Sequence, residues 1–167
     1  TVYGGGGILP DVIVGRDSEK IVASVIGGGL DFRFVREWLN RNPEFRETWH
    51  DRQDEFNATY SIPDAMQEEF ITFARSDIEI VPDADVEKLS KAPPDTTGGK
   101  TAVLYFGETD LAENDLVLRT RLKAYLARRL WGIEAWYPVI QDIDVMIQES
   151  MGLWSSASDL AYFVSPK

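Results

Sequence analysis

The chain has 167 residues, 44% of them hydrophobic, which is enough for one domain with a buried core. Its formal net charge of −11 would repel phosphate backbones, so nucleic acid is not an expected partner, and the absence of cysteine excludes disulfides and thiolate chemistry. No apolar run approaches the roughly 18 residues that span a bilayer and no secretion signal is recognisable, so we expect a soluble chain.

The chain opens with a turn-forming segment and a short β-branched run. The turn residues are Gly4, Gly5, Gly6, Gly7, Pro10 and Asp11. The run at 12–14 lies between Pro-Asp and Gly15, a pattern that predicts a short strand. Residues after this strand are predicted to be mainly helical.

Two helices are predicted next. Asp17 or Ser18 can cap the first, and the glycines at 27–29 end it; its apolar face is Ile21, Val22, Val25 and Ile26. The second begins at about Asp31 and ends at Asn-Pro in positions 42–43, because Phe34, Val35, Trp38 and Leu39 recur at helical spacing.

The middle of the chain gives weaker signals. Residues 44–60 predict a short helix and a connection, and Asp64 with Gln67 is close to a capping box for a further helix. Residues 80–100 are the most loop-like stretch, with a short helix as an option at 85–91.

The last third carries the strongest helical signal. A helix is predicted from about Leu111 to Gly132, with leucines on one face and basic residues over much of the rest. Pro138 suits the first turn of a following helix. We expect the two helices to pack as an antiparallel pair, with an ion pair between Arg128 and Asp144 that fixes their registry.

Sequence patterns that suggest binding sites lack essential residues. "GGKT" at 98–101 would need glycine where Pro94 stands to form a phosphate-binding loop. "DADVEK" from Asp83 would need glycine at Lys88 to form a calcium loop, so a solvated acidic loop is favoured. His50 has aspartates nearby but too few partners for a transition metal, which indicates a surface or helix-end histidine.

A nucleophile is also lacking. "SSASD" at 155–159 has no neighbouring lysine or histidine to accept a serine proton, and a helix cap explains these residues. We therefore predict no catalytic residue, no cofactor-binding residue and no metal ligand within this chain.

Two separated segments resemble one family. "VYGGGGILPDVIV" looks like the segment that ends the catalytic domain of C-terminal processing, or tail-specific, serine peptidases. "RLKAYLARRLWGIEAWYPVIQDIDVMIQES" resembles their helical C-terminal region, where a K-A-x-x-A-R-x-L-W-G helix precedes an aromatic pair and a buried aspartate. The two segments cover about a quarter of the chain, and residues 45–116 match only loosely.

The resemblance implies a mainly α fold in a fragment of a longer enzyme. Residues 1–14 would be the terminal strand of an upstream peptidase core, and 15–167 a helical C-terminal domain. The family's serine nucleophile, lysine base and PDZ module would all lie upstream, and protein or peptide substrates would bind the parent. The resemblance implies a location in the periplasm or cell envelope.

Two function classes stay open. The domain could stabilise the peptidase core, shape substrate access or mediate self-association. Alternatively, the chain is a free-standing helical module that binds a protein partner. For a fragment, we expect residues 1–14 to run along the surface, or to pair with residues 102–106 or with another copy.

Overall fold

The computed structural model describes residues 20–91 and 103–143, together with 148 and 151–153. The chain divides into two units, and the helices and strands described below belong to the unit Ser18–Ile143. The predicted strand at 12–14, the boundary at 14 and the turn residues Gly4 to Asp11 lie outside the described residues.

The described part is mainly helical, as predicted, and carries one small sheet. The helices are α1 Lys20–Gly28, α2 Leu30–Arg41, α3 Pro43–Trp49, α4 Gln53–Thr59, α5 Asp64–Ala74, α6 Asp83–Ser90, α7 Glu108–Glu113, α8 Asp115–Trp131 and α9 Tyr137–Ile140. The strands are β1 Ile78–Val81 and β2 Leu104–Gly107; 3₁₀ turns span Ile133–Trp136 and Gln141–Ile143.

Glycine separates the first two helices. Gly29 has φ 58°, a left-handed conformation that glycine adopts without a steric cost, and α2 begins at the next residue. Ile21, Val22 and Val25 of α1 are buried as predicted, whereas Ile26 is exposed. The predicted caps at 17 and 18 lie outside the described residues.

Helix α2 lies at the centre of the core. It packs against α1, α3, α5 and α8, and it buries Phe34, Val35 and Leu39. The Phe34 ring meets Phe70 of α5 edge to face, with ring centroids 5.4 Å apart. This helix ends at Arg41, before the Asn-Pro pair that predicted its end.

The loop predicted for residues 80–100 is wrong for its described part, where the short helix given as an option at 85–91 is confirmed as α6. β1 and β2 pair in parallel, with Ile78 opposite Leu104 and Val81 opposite Gly107, and α6 lies between them in the chain. Residues 83–90 are therefore helical and do not form an acidic loop. "GGKT" lies outside the described residues.

Two aspartates, Asp83 of α6 and Asp110 of α7, bind the start of α7 and the end of β2. Asp110 accepts a hydrogen bond from the Gly107 N–H at 2.7 Å, and Asp83 accepts one from the Thr109 N–H at 3.1 Å. Asp83 also accepts the Thr109 hydroxyl. These bonds satisfy donors at the start of a helix, and the two from Thr109 lower the pKa of the Asp83 carboxyl, the hydroxyl bond contributing most.

The capping box predicted at Asp64 is wrong. Pro63 is the N-cap residue of α5 and Asp64 lies in its first turn, where its carboxylate pairs with Arg119. Gln67 does not reach back to the helix start, because its side chain donates to Asp115.

The predicted helix at the end of the described unit is divided in two. Asn114 separates α7 from α8, and α8 ends at Trp131. Pro138 lies in the first turn of α9, as predicted. Asp144 lies outside the described residues, so its pairing with Arg128 and the antiparallel helix pair stay predictions.

Candidate functional site

Helix α8 carries three basic residues whose side chains contact the protein body. Arg119 and Lys123 are four residues apart and lie on the same side of the helix, whereas Arg121 lies on the opposite side. The first two reach residues between 57 and 64, and Arg121 reaches α2. The helix is thus joined through charged groups on both sides, and we treat this arrangement as the candidate functional site.

Arg121 forms a buried ion pair with Asp31. Its Nη2 and Nε lie 2.6 and 2.8 Å from Asp31 Oδ2. The side chain of Asp31 is 1% exposed and that of Arg121 is 13% exposed, so water hardly screens the pair. Asp31 also accepts the Phe32 N–H at 2.8 Å in the first turn of α2, where a negative charge is favoured by the helix dipole.

Two aromatic rings lie next to the Arg121 guanidinium. Its central carbon lies 5.9 Å from the Tyr125 ring centre and 5.7 Å from that of Trp136, and the two rings are 4.4 Å apart. Such contacts favour a cation that has lost part of its hydration. Burial, with a smaller contribution from the Asp31 charge, raises the pKa of the Tyr125 hydroxyl.

Arg119 connects α8 to the start of α5. Its guanidinium donates to Asp115 at 2.8 Å and to the Ile62 carbonyl at 2.8 Å, and it lies 2.9 Å from Asp64. The hydrogen bond with Asp115 is the main cause of a raised pKa of the Arg119 guanidinium. Gln67 donates to the other oxygen of Asp115 at 3.2 Å, so α5 and α8 share this carboxylate.

Lys123 and Trp131 connect α8 to α3 and α4. Lys123 Nζ donates to the Asn57 carbonyl at 2.8 Å and lies 5.6 Å from the Phe56 ring centre. The Trp131 indole N–H donates to the His50 carbonyl at 2.6 Å, and its ring meets Phe56 at 5.2 Å.

An aromatic cluster fills the space beneath this end of α8. Its members are Trp38, Phe45, Trp49, Phe56, Tyr60 and Trp131. Phe56 is fully buried, and Tyr60 stacks on it with ring centres 4.7 Å apart. Burial raises the pKa of the Tyr60 hydroxyl to about 12.

The K-A-x-x-A-R-x-L-W-G motif occupies residues 123–132, at the end of α8, and its residue types suit their positions. Ala124 and Ala127 are fully buried, as small residues are where a helix packs closely. Gly132 has φ 100°, which favours glycine, and its N–H donates to the Arg128 carbonyl at 3.0 Å. The Arg128 side chain is exposed near the C-terminal end of α8.

His50 lies at the surface, at the C-terminal end of α3, as predicted. Its side chain is 66% exposed, and its Nε2 lies 2.7 Å from the Asp51 carboxylate. Within the described residues, no group of three or more His, Asp or Glu side chains could hold a metal ion. "SSASD" lies outside these residues.

The site is a set of salt bridges and hydrogen bonds that join helices. Both charges of the Asp31–Arg121 pair are used in binding each other, and Arg119 binds two carboxylates and a carbonyl. Such a site fixes the positions of α2, α5 and α8. The sequence indicated basic residues on α8 but neither their partners nor the role of Asp31. The available signal was their spacing, which places them on both sides of the helix.

Comparisons of the chain with protein-family models, curated proteins and solved structures find no match. In the part of the chain that the structure describes, no helix has the length and apolar character needed to cross a membrane.

Proposed function

We propose that this chain is the helical C-terminal domain of a bacterial serine endopeptidase of the C-terminal processing class, which cleaves proteins near their C-termini. In this proposal the serine, the lysine and the PDZ module belong to upstream parts of the parent enzyme. The domain supports the peptidase core, shapes substrate access or mediates self-association, and the parent acts in the periplasm or cell envelope.

The observation that carries the proposal is the use of the α8 motif in packing. Lys123 and Trp131 donate to backbone carbonyls of other helices, and Gly132 adopts a positive φ that favours glycine. Ala124 and Ala127 of the same motif are buried. The segment that resembles the peptidases' C-terminal region is thus the helix to which other parts of the described unit are tied, as a support domain requires.

A support role also agrees with the chemistry of α8. A serine peptidase needs a nucleophile with a base and donors for the developing oxyanion. Arg119, Arg121 and Lys123 instead donate to carboxylates and carbonyls of the protein itself. Their charges serve to position helices, and catalysis is assigned to residues outside this chain.

The first experiment is to sequence the gene upstream of residue 1 and to assay three proteins. These are the complete gene product, the same product truncated after Val14, and the present chain alone. Substrates are an unfolded protein and a peptide with an apolar C-terminus. We expect activity in the complete protein, weak or unstable activity in the truncated one because apolar core surface is uncovered, and none in the chain alone.

Two variants of the complete protein test the support role. Asp31→Ala breaks the buried ion pair, whereas Glu69→Ala breaks the exposed pair with Arg41 and serves as a matched control. We expect the first to lower the temperature at which peptidase activity is lost and the second to leave it nearly unchanged.

Two results would contradict the proposal. One is an upstream sequence without a serine and lysine dyad. The other is robust cleavage by the chain alone that disappears when a serine at 155–158 is changed. If the truncated protein is as stable and active as the complete one, the support role is wrong even where the family assignment holds.

A protein-interaction module is the second candidate, favoured by two exposed apolar side chains. Ile133 and Tyr137 are 49% and 59% exposed, whereas Ala135 and Val139 of the same stretch are buried. If the protein partner that these two side chains bind is a second copy of the chain, sedimentation velocity will show concentration-dependent association, and Tyr137→Ser will reduce it. A monomer at every concentration contradicts self-association through this surface.

A further inference from the structure

We draw no further inference here: the strongest candidate, the polar cluster of Gln67, Asp115, Arg119 and Asp64 where α5 meets the start of α8, carries nothing because Arg119 already binds both carboxylates and less than 1 Å² of the unpartnered Gln67 Oε1 is accessible, which leaves no room for a water or an ion to reach it.

Discussion

Removing one member of the Asp31–Arg121 pair tests how α2 and α8 are held together. In Asp31→Ala, Arg121 keeps its charge at a position that is 13% exposed, and among the described residues no other carboxylate forms an ion pair with it. Breaking a buried pair in this way costs about 3–5 kcal/mol, because the remaining charge is left without compensation. Total domain stabilities are about 5–15 kcal/mol, so we expect a large loss.

Three further variants separate the contribution of the ion pair to stability from other effects of substitution. Asp31→Asn keeps the shape and removes the charge, and we expect a loss of about 1.5–3 kcal/mol. The double variant Asp31→Leu with Arg121→Met removes both charges, and its stability should return close to that of the unmodified protein. Glu69→Ala removes a partner that is 49% exposed, and we expect a loss below about 1 kcal/mol.

The assay is urea unfolding at 25 °C, followed by far-ultraviolet circular dichroism and tryptophan fluorescence. If the unfolding free energy falls with urea concentration at the same slope in every variant, the substitutions act on stability and not on the compactness of either state. Raising the salt concentration should shrink the effect of Glu69→Ala and leave that of Asp31→Ala nearly constant, because buried pairs are screened less. The reasoning is refuted if Asp31→Ala costs no more than Glu69→Ala, or if the double variant is as unstable as the single one.

Three other predictions concern the rest of the described unit. In an absorbance titration, Tyr60 should ionise near pH 12, and Tyr60→Phe should reduce the late component, to which Tyr125 also contributes. Because the folded pKa of Tyr60 is raised, the stability that it contributes is complete below about pH 10 and is lost as the pH rises through 12. Gly107→Ala should destabilise the protein by about 1–3 kcal/mol, since the new Cβ would clash with Asp83 Oδ1, and adding Asp83→Ala should then cost less than it does alone. Trp131→Phe keeps an aromatic ring but removes the donor to His50, and urea unfolding should show a loss of about 1 kcal/mol.

The longer helices could be predicted from the sequence because periodicity and stop signals agree there. In α2, apolar residues recur at helical spacing up to the Asn-Pro pair, and α8 ends at Trp131, directly before Gly132. β1 was missed because four residues give little periodicity and Pro82 and Asp83 follow directly, a composition typical of loops. Its Ile-Glu-Ile-Val alternation was the available signal.

The salt bridges and hydrogen bonds between helices could not be predicted, because their partners are far apart in the chain. Asp31 and Arg121 are separated by 90 residues, and no periodic pattern states which basic residue meets which carboxylate. The role of Asp64 was also hard to predict, although the choice there is between two neighbouring helix positions. Aspartate is favoured both as an N-cap and in the first turn, and here Pro63 is the cap while Arg119 binds the Asp64 carboxylate.

The two segments that resemble the peptidase family can be tested separately. The pattern in α8 has a structural explanation within the unit Ser18–Ile143, whereas the resemblance assigns the glycine segment to the end of an upstream catalytic domain. If the proposed function and the glycine turn that the resemblance implies are right, Gly5→Val should lower the peptidase activity of the complete gene product, because valine rarely adopts glycine's torsions, and leave the unfolding of the isolated chain unchanged. Arg121→Met should lower the stability of the isolated chain itself. If Gly5→Val destabilises the isolated chain as strongly as Arg121→Met does, the glycine segment belongs to the helical domain, and the boundary at residue 14 is wrong.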